Sequence, residues 1–289
     1  EVPSLATQLK EQGYDTTAFH PYKPNAWNRQ SVYPLLGFDN FLDESSLDES
    51  KVRRIRGWVS DESDYDKIIE TFENRKSDNP LFMFNVTIQN HGGYLLPDDN
   101  FKQEITIEDE KKTEPAERYL SLIHESDRAF KKLIDYFKEQ KEPTIVVMFG
   151  DHQPSVEDEF FDEISGMPCA DVPAGDHLMW YETPFLIWTN YESGSEQKGK
   201  MSAIYLASEL LDQAGLDMTP YQRFLLSMEE TLPVIHPLGC YDASGTYYSW
   251  EETGLDSFPY RDTIRDYEYL VYNHSFDPKK YKDMYIAEP

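Results

Sequence analysis

The sequence predicts an α/β fold in which a mainly parallel central sheet carries helices on both faces. Amphipathic helical segments alternate along the chain with short apolar segments of strand length, and this order is typical of parallel sheets with helical crossovers. With 289 residues and an apolar share of 39%, the chain is long enough to bury a substantial core. Ligands bind such sheets at the carboxyl ends of the strands, so candidate site residues are expected there.

The elements of the first half follow one another regularly. A helix over residues 3–12 ends on a glycine and leads into the strand-like segment TTAFH at residues 16–20. A loop rich in Pro, Asn and aromatic residues follows, and then an amphipathic helix over 61–75. The nearly continuous apolar run over 81–89 predicts a strand buried on both faces. Helical spacing resumes over 116–140.

The second half supplies two more predicted strands and a C-terminal region. Residues 144–149 and 184–190 are apolar segments of strand length. Two further helices are predicted within 202–232. We expect residues 1–232 to form the main domain, and residues 233–289, which are aromatic, acidic and less regular, to form an extension packed on it.

The charge balance limits the partners of this chain. It carries 54 acidic and 27 basic residues, a formal net charge of -27, which opposes binding to nucleic acid and to anionic membrane surfaces. The two cysteines, Cys169 and Cys240, lack metal-ligand spacing. No apolar run approaches the roughly 20 residues that span a bilayer. We expect this chain to be soluble and monomeric and to have no nucleic-acid partner.

Two predicted strands are followed by polar residues that suit phosphate chemistry. His20 ends the first strand, and Trp27 and Arg29 lie in the loop behind it. Arginine is suited to bidentate contact with phosphate, and tryptophan can pack on a glycerol or sugar backbone. His91 follows the next strand and precedes two glycines. Together these residues predict an anion pocket, although taken singly Trp27 suits a core position and Arg29 a surface position.

A third predicted strand is followed by Gly150, Asp151 and His152. A carboxylate and an imidazole at a strand's carboxyl end can both bind one divalent metal. From the dipeptide alone, a capping aspartate beside a surface histidine remains an alternative. The chain has no serine nucleophile elbow, phosphate-cradling glycine loop or zincin helix, so these residues by themselves are short of a nucleophile.

The order of these motifs matters more than any one of them. The succession TTAFHPYKPNAWNRQ, NVTIQNHGGY, VVMFGDHQP and TPFLIWTN resembles the lipoteichoic acid synthase family of phosphoglycerol transferases, within the alkaline phosphatase and sulfatase superfamily. The resemblance extends over about residues 2–232. It implies an alkaline phosphatase/sulfatase-like fold. The family's metal-binding glutamate and its threonine nucleophile have no counterpart here, so we expect this fold to be truncated at its N-terminus.

The resemblance implies metal-dependent transfer of glycerol phosphate, through a phosphothreonine, from the phosphatidylglycerol head group to a cell-surface polymer or glycolipid. Asp151 and His152 would be half of the metal ligands, with Mn²⁺ expected and Mg²⁺ or Zn²⁺ as alternatives. The phosphoglycerol pocket would be lined by His20, Trp27, Arg29 and His91, and His91 would be catalytic, by proton transfer or by contact with the phosphate. Without its nucleophile, this chain alone is expected to be inactive.

The resemblance also implies a position on the extracytoplasmic face of the cell membrane, where an N-terminal bundle of membrane helices, absent from this chain, would anchor the domain near lipid head groups. Two other functions stay open. One is a sulfatase or phosphodiesterase of the same superfamily, although neither cysteine has the context of a formylglycine precursor. The other is a noncatalytic surface module that binds anionic polymers or proteins.

Overall fold

The computed structural model describes residues 2–95, 100–108, 112–173, 175–192, 194, 197–253 and 257–288. The helices are Leu5–Glu11 (α1), Arg29–Leu35 (α2), Asp61–Glu73 (α3), Glu114–Lys138 (α4), Asp158–Ser165 (α5), Leu206–Ala214 (α6), Pro220–Glu229 (α7), Trp250–Thr253 (α8) and Arg261–Ser275 (α9). The strands are Asp15–Phe19 (β1), Asn40–Leu42 (β2), Arg54–Ile55 (β3), Trp58–Val59 (β4), Leu81–Asn85 (β5), Ile145–Phe149 (β6), Phe185–Thr189 (β7), Val234–His236 (β8), Gly239–Tyr241 (β9) and Tyr247–Ser249 (β10).

The chain divides into two compact units. The first unit contains residues 9–144 and 151–172, and the second contains residues 2–8, residues 145–150 and the chain from residue 173 onward. Every candidate site residue predicted from the sequence belongs to the first unit. A C-terminal extension that begins at residue 233 stays a prediction.

A parallel three-stranded sheet, in the order β2-β1-β5, organises the first unit. β1 is the central strand, and its residues from Thr16 to Phe19 are buried. Phe19 pairs with Asn85 at the last position of β5. The carboxyl ends of β1 and β5 therefore lie side by side, and the parallel sheet expected from the sequence is confirmed.

β5 differs from its prediction in length and in burial. It ends at Asn85, its residues are only half-buried, and residues 86–89 lie outside the sheet. The Val86 N–H donates to the Phe19 carbonyl at 3.0 Å, and the Val86 carbonyl accepts from His20 Nδ1 at 2.7 Å. The His20 side chain therefore takes the carbonyl group that a longer strand would use for pairing. The sequence pattern could not distinguish this loop from a strand, because both are apolar.

Helices α3 and α4 pack along one another beside this sheet. Ser60 caps α3, where its hydroxyl accepts from the Ser63 N–H, and Thr113 caps α4, where its hydroxyl accepts from the Ala116 N–H. Such caps satisfy N–H groups that have no partner within the helix. Aromatic pairs between the two helices, among them Phe72 with Phe137 at 5.2 Å, contribute to the packing. The two predicted helices are thus present with shifted ends.

The short strands β3 and β4 form an antiparallel hairpin with a two-residue turn of Arg56 and Gly57. Both turn residues have positive φ, 54° for Arg56 and 79° for Gly57. The backbone twist of such two-residue turns matches the twist of the two strands that they join. Left-handed backbone is routine for glycine but uncommon for arginine, so the conformation of Arg56 must be held by its surroundings.

In the second unit, β6 and β7 pair in antiparallel fashion, which differs from the parallel sheet expected for these segments. The chain returns alongside itself here: the Gly150 N–H donates to the Pro184 carbonyl at 3.1 Å. A Cβ at Gly150 would lie 2.9 Å from the Thr183 Cβ. Gly150 is therefore required by close packing against Thr183. An apolar run of strand length is compatible with either strand direction, so the sequence could not decide between them.

The rest of the second unit has its own core and an antiparallel sheet in the order β10-β9-β8. The Tyr205 hydroxyl donates to the Leu232 carbonyl at 2.7 Å inside this core. Its buried members are Tyr205, Leu225, Met228, Leu232, Cys240, Phe258 and Ile264. Both cysteines are free thiols. Among the residues that the structure describes, no helix has the length and apolarity that a membrane span requires.

Candidate functional site

His20 lies directly after β1 and is only 3% exposed. Its Nδ1 must donate to the Val86 carbonyl, since a carbonyl oxygen only accepts. Burial lowers the pKa of the imidazole, and the nearby charges of Arg29 and His91 lower it further, against the opposing effect of the Val86 hydrogen bond. His20 is thus neutral, with an acceptor lone pair on Nε2. That buried atom has no hydrogen-bond partner among the described residues.

The loop after His20 presents Trp27 and Arg29 through an unusual backbone. Trp27 and Asn28 both adopt left-handed conformations, with φ of 54° and 53°, and such outliers are often found at ligand sites. Trp27 is 85% exposed, which rules out the core role considered for it. Arg29 begins α2, is half-buried, and donates from Nη1 to the Ala26 carbonyl at 3.2 Å. The guanidinium also donates a hydrogen bond to the Tyr33 hydroxyl oxygen.

His91 lies in the loop that follows β5, six residues beyond the end of the strand, and its side chain is exposed. Its backbone N–H donates to the Ile88 carbonyl at 3.0 Å. Its ring packs against Trp58 with centroids 5.3 Å apart. The rings of Tyr22 and Trp58 connect His20 to His91 through successive ring contacts of 6.3, 5.3 and 5.3 Å. The charges of Arg29 and His91 both act on His20, in keeping with one shared neighbourhood.

The β3-β4 hairpin contributes to the same neighbourhood, which the sequence did not indicate. Arg56 Nη2 donates to the carbonyl groups of His91, Gly92 and Gly93 at 3.3, 3.3 and 3.0 Å. Trp58 packs between His91 and Tyr22, with the Tyr22 centroid 5.3 Å away. The only sequence signal was an Arg-Gly dipeptide between short apolar segments, which is a weak turn signal.

The two residues before His91 are held by hydrogen bonds to helices α3 and α4. Gln89 is 1% exposed; its Oε1 accepts from the Asp61 N–H at 3.0 Å and its Nε2 donates to Ser126 Oγ at 3.1 Å. Asn90 Nδ2 donates to the same Ser126 oxygen at 2.8 Å, and the Ser126 hydroxyl donates to Asp61 Oδ2 at 2.5 Å. Side chains of α3 and α4 thus hold the loop immediately before His91.

Asp151 and His152 lie on the surface of the first unit, with side chains 79% and 78% exposed. Asp151 Oδ2 is 3.5 Å from His152 Nε2. His152 Nδ1 donates to the Gln153 carbonyl at 2.8 Å, a contact that leaves Nε2 as the nitrogen available to a metal. Burial raises the pKa of Tyr94 to about 12, and Tyr119 and the charge of Asp151 act in the same direction.

The donor types suit a divalent cation, but their number does not. Protein sites for zinc take about four ligands and those for harder cations about six. Within the part of the chain that the structure describes, no group of three or more His, Cys, Asp or Glu side chains is placed to hold a metal. Asp151 and His152 therefore do not complete a metal site by themselves.

A family model described as Sulfatase matches residues 1–216 of the chain. The chain belongs to the sulfatase family. Its α/β, alkaline phosphatase/sulfatase-like fold is confirmed, as is its expected membership of an enzyme family.

Two curated relatives are similar to this sulfatase-family chain over most of its length. A protein of Rhizobium meliloti (strain 1021), whose name assigns it provisionally to cyclic beta-1,2-glucan modification, is 33% identical over 232 residues, which cover 78% of this chain and 35% of that protein. Lipoteichoic acid synthase 1 of Bacillus subtilis (strain 168) is 24% identical over 232 residues, covering 77% of this chain and 34% of that protein. The chain thus spans about a third of the length of these relatives.

The fold is also that of a solved phosphoglycerol transferase. GacH of Streptococcus pyogenes, solved in complex with sn-glycerol-1-phosphate, matches with a TM-score of 0.65 and 20% identity, over 91% of this chain and 61% of that chain. At this identity the likeness shows the fold alone. The roles of His20, Trp27, Arg29, His91, Asp151 and His152 stay predictions.

Proposed function

We propose that this sulfatase-family chain forms the phosphoglycerol-binding part of an enzyme that transfers glycerol phosphate from phosphatidylglycerol to a cell-surface polymer or glycolipid. The observation that carries this proposal is the cluster of His20, Arg29 and His91, in which a buried His20 Nε2 has no hydrogen-bond partner among the described residues. A buried acceptor without a partner is costly, and a bound ligand would supply one.

The protonation of these side chains suggests a different task for each. The planar guanidinium of Arg29 can hold the phosphate by bidentate hydrogen bonds. Neutral His20 offers Nε2 as an acceptor, which suits a glycerol hydroxyl and not an anionic oxygen. The exposed ring of Trp27 can cover the carbon backbone of glycerol. The site would then recognise glycerol phosphate by its charge, its hydroxyl groups and its apolar edge.

His91 is the candidate for proton transfer because its ring is exposed and lies in the same cluster. In the proposed transfer, a threonine oxygen from outside this sequence bonds to phosphorus as the bond between phosphorus and the diacylglycerol oxygen breaks, and the threonine proton passes to the departing diacylglycerol. An acceptor hydroxyl then bonds to phosphorus as the phosphothreonine bond breaks, and a proton returns to the threonine oxygen. His91 would take the proton of the acceptor hydroxyl as the bond forms, or contact the phosphate.

The metal and the nucleophile belong to the proposal as well. Asp151 and His152 would supply two donors to a divalent cation, Mn²⁺ by expectation, which when bound would stabilise negative charge on the phosphate. The other donors and a threonine nucleophile would come from outside this sequence. Relatives of about three times its length leave room for such a segment, and for membrane helices that hold the domain on the extracytoplasmic face.

Two findings support glycerol phosphate as the group that is transferred. GacH, which shares the fold, is a phosphoglycerol transferase solved with sn-glycerol-1-phosphate, and lipoteichoic acid synthases are among the curated relatives. The Rhizobium meliloti relative is named for modification of a cyclic glucan. That name supports a glycan, instead of a lipoteichoic acid chain, as a second candidate for the acceptor.

Calorimetric titration with sn-glycerol-1-phosphate tests the pocket directly. We expect this chain to bind the ligand and Arg29→Gln to bind it at least about tenfold more weakly, since a charged hydrogen bond contributes about 1.5–3 kcal/mol. Arg54→Gln is the matched control, because Arg54 pairs with Glu49 on the surface. No binding by the unmodified chain, or equal binding by Arg29→Gln, would reject the pocket.

The full-length protein separates the competing functions. With vesicles that contain phosphatidylglycerol, release of diacylglycerol and labelling of an added glycan or glycolipid would support transfer. Hydrolysis of an aryl sulfate or a phosphodiester without labelling would support the other enzymes of the superfamily. Polymer binding without turnover would support a noncatalytic module.

A further inference from the structure

We propose that Arg56 is a positioning residue for His91: one guanidinium nitrogen on the β3-β4 hairpin holds three consecutive carbonyl groups of the loop that carries the histidine. This inference rests on the proposed function in so far as His91 takes part in the transfer. Its structural content, that Arg56 fixes the orientation of the His91 ring, can be tested without a substrate.

The contacts of Arg56 act as a clamp on the loop. Nη2 lies 3.3, 3.3 and 3.0 Å from the carbonyl oxygens of His91, Gly92 and Gly93. Hydrogen bonds from a charged donor are stronger than those from a neutral one, but one nitrogen with two hydrogens cannot form three full bonds to three oxygens. Gly92 and Gly93 have no side chains of their own to hold the loop, so its conformation depends on an external donor.

Arg56 itself is held in place by the hairpin and by its neighbours. Arg56 occupies a left-handed conformation, with φ of 54°, which for a non-glycine residue is strained and persists only where the surroundings fix it. The guanidinium also lies over the Tyr94 ring, 5.2 Å from its centroid. Trp58, two residues along the same hairpin, packs on the His91 ring. The hairpin thus contacts the loop from residue 91 to residue 94.

The two sides of His91 are held by different contacts, although the Tyr94 hydroxyl also joins them by donating to the Asn90 carbonyl at 2.8 Å. Gln89 and Asn90 are pinned to α3 and α4 through Ser126 and Asp61, while Arg56 holds residues 91–93. Loss of Arg56 should therefore release His91 locally and leave residues 89 and 90 in place. Since a misplacement of about 1 Å can cost about a hundredfold in rate, local release is enough to impair a catalytic histidine.

Three variants separate the effect of the guanidinium contacts from the effect of the strained backbone at residue 56. Arg56→Asn removes the guanidinium but tolerates the left-handed conformation, because asparagine is enriched there. Arg56→Lys keeps a positive charge but replaces the planar fork by a single ammonium. Arg54→Asn is the matched control, since Arg54 lies on the same hairpin and donates to Glu49 at 2.7 Å.

The decisive measurement is the ¹H-¹³C spectrum of histidine-labelled protein, with the His91 ring assigned through His91→Gln. In the unmodified chain, the Trp58 indole at 5.3 Å shifts the His91 ring signals. We expect Arg56→Asn to lose this shift, Arg56→Lys to lose part of it, and Arg54→Asn to keep it. The His124 signals serve as the folding control, because His124 is half-buried on α4 and its Nε2 lies 3.8 Å from Glu104 Oε2, a contact that only the folded chain makes.

Unchanged His91 signals in both Arg56 variants would overturn the proposal. If Arg56→Asn fails to fold, as the His124 signals would show, Arg56→Lys gives the same test. In the full-length enzyme we expect Arg56→Asn to lower kcat about tenfold or more with little change in KM. A full-length protein without turnover would count against the proposed function alone, because the ring signals need no substrate.

Discussion

The indole of Trp58 packs against the imidazole of His91, with ring centroids 5.3 Å apart and ring planes inclined at 50°. Trp58 belongs to a short hairpin strand and His91 to the loop after a strand of the parallel sheet, so the contact joins two segments that are distant in sequence. It makes the hairpin part of the candidate site. The same indole contacts Tyr22, which follows His20, and so links the loops that carry the two histidines.

Replacing Trp58 by leucine should loosen His91 without unfolding the chain. An aromatic pair contributes about 0.5–1.5 kcal/mol beyond its buried area, so a small loss in the free energy of unfolding is expected. The His91 ring signals should shift in the histidine spectrum. Trp188→Leu, in the second unit, is the control and should leave those signals in place; a Trp58→Leu spectrum identical to that of the unmodified chain would contradict the contact.

Gly239→Ala should destabilise the antiparallel sheet of the second unit. An added Cβ would lie 2.4 Å from the Tyr248 carbonyl oxygen and 2.7 Å from the Tyr247 ring. Because the nearest atom is backbone, relief requires the strands to move apart, and overpacking of this kind costs about 1–3 kcal/mol. Denaturant unfolding measures the loss. Gly199→Ala, which meets no atom within 4 Å, should be neutral, and equal stabilities for the two variants would contradict the packing.

Asp242 should stabilise the fold above about pH 4 and lose this effect as the pH falls towards 2. Hydrogen bonds, the largest from Ser244, lower the pKa of its carboxyl from 3.8 to about 2; Thr246 and Tyr248 also donate to it. A depressed pKa means that the unfolded chain takes up the proton first, so acid removes the stabilisation.

Unfolding curves for Asp242→Asn between pH 3 and pH 6 provide the test. The variant should be less stable than the unmodified chain at pH 6, since an amide nitrogen cannot accept from Tyr248. The difference should shrink at pH 3. A difference independent of pH would show that the carboxylate charge is not what the loop requires.

Asp61 should have the opposite effect on stability. Burial raises the pKa of its carboxyl from 3.8 to about 6, against hydrogen bonds from Ser126 and Gln89 that lower it. Burial also raises the pKa of Asp64, with the Asp61 charge acting in the same direction. A raised pKa means that the folded chain keeps the proton to a higher pH than the unfolded chain does. The free energy of unfolding therefore falls as the pH rises from about 4 to about 6. For Asp61 this amounts to at most about 3 kcal/mol.

Asp61→Asn should therefore flatten the decline in unfolding free energy between pH 4 and pH 6. Asp135→Asn, which changes an exposed carboxylate on α4, is the control and should leave the decline unchanged. An equally steep decline in Asp61→Asn and in the unmodified chain would mean that Asp61 does not titrate in this window.

Manganese binding should depend on Asp151 and on donors beyond this sequence. We expect weak binding to this chain, because two exposed donors do not complete a site. A longer version that includes the segment expected to carry a glutamate and a threonine should bind at least about tenfold more tightly. Calorimetry on both versions, each compared with Asp151→Ala and with Asp176→Ala as a control, measures this. No binding in either version would favour a noncatalytic module.

The order of elements could be predicted from the sequence because it depends on local patterns. Helical spacing located α3 and α4, and the short strand-like segment at β1 predicted a strand that proved to be central. The family followed from short local motifs and from their order along the chain. Strand direction could not be predicted for β6 and β7, since an apolar run has the same pattern in either direction.

The sequence by itself determined the fold class, the family and the histidines, arginine and tryptophan worth testing, because residue types and their spacing carry that information. Only the tertiary structure decided which of them meet: it placed His20 and Arg29 near His91 and brought in Arg56, Trp58 and Gln89. The physical reason is that a loop without side chains at Gly92 and Gly93 is fixed by donors from other segments. Their positions depend on strand pairing and helix packing, which no local pattern records.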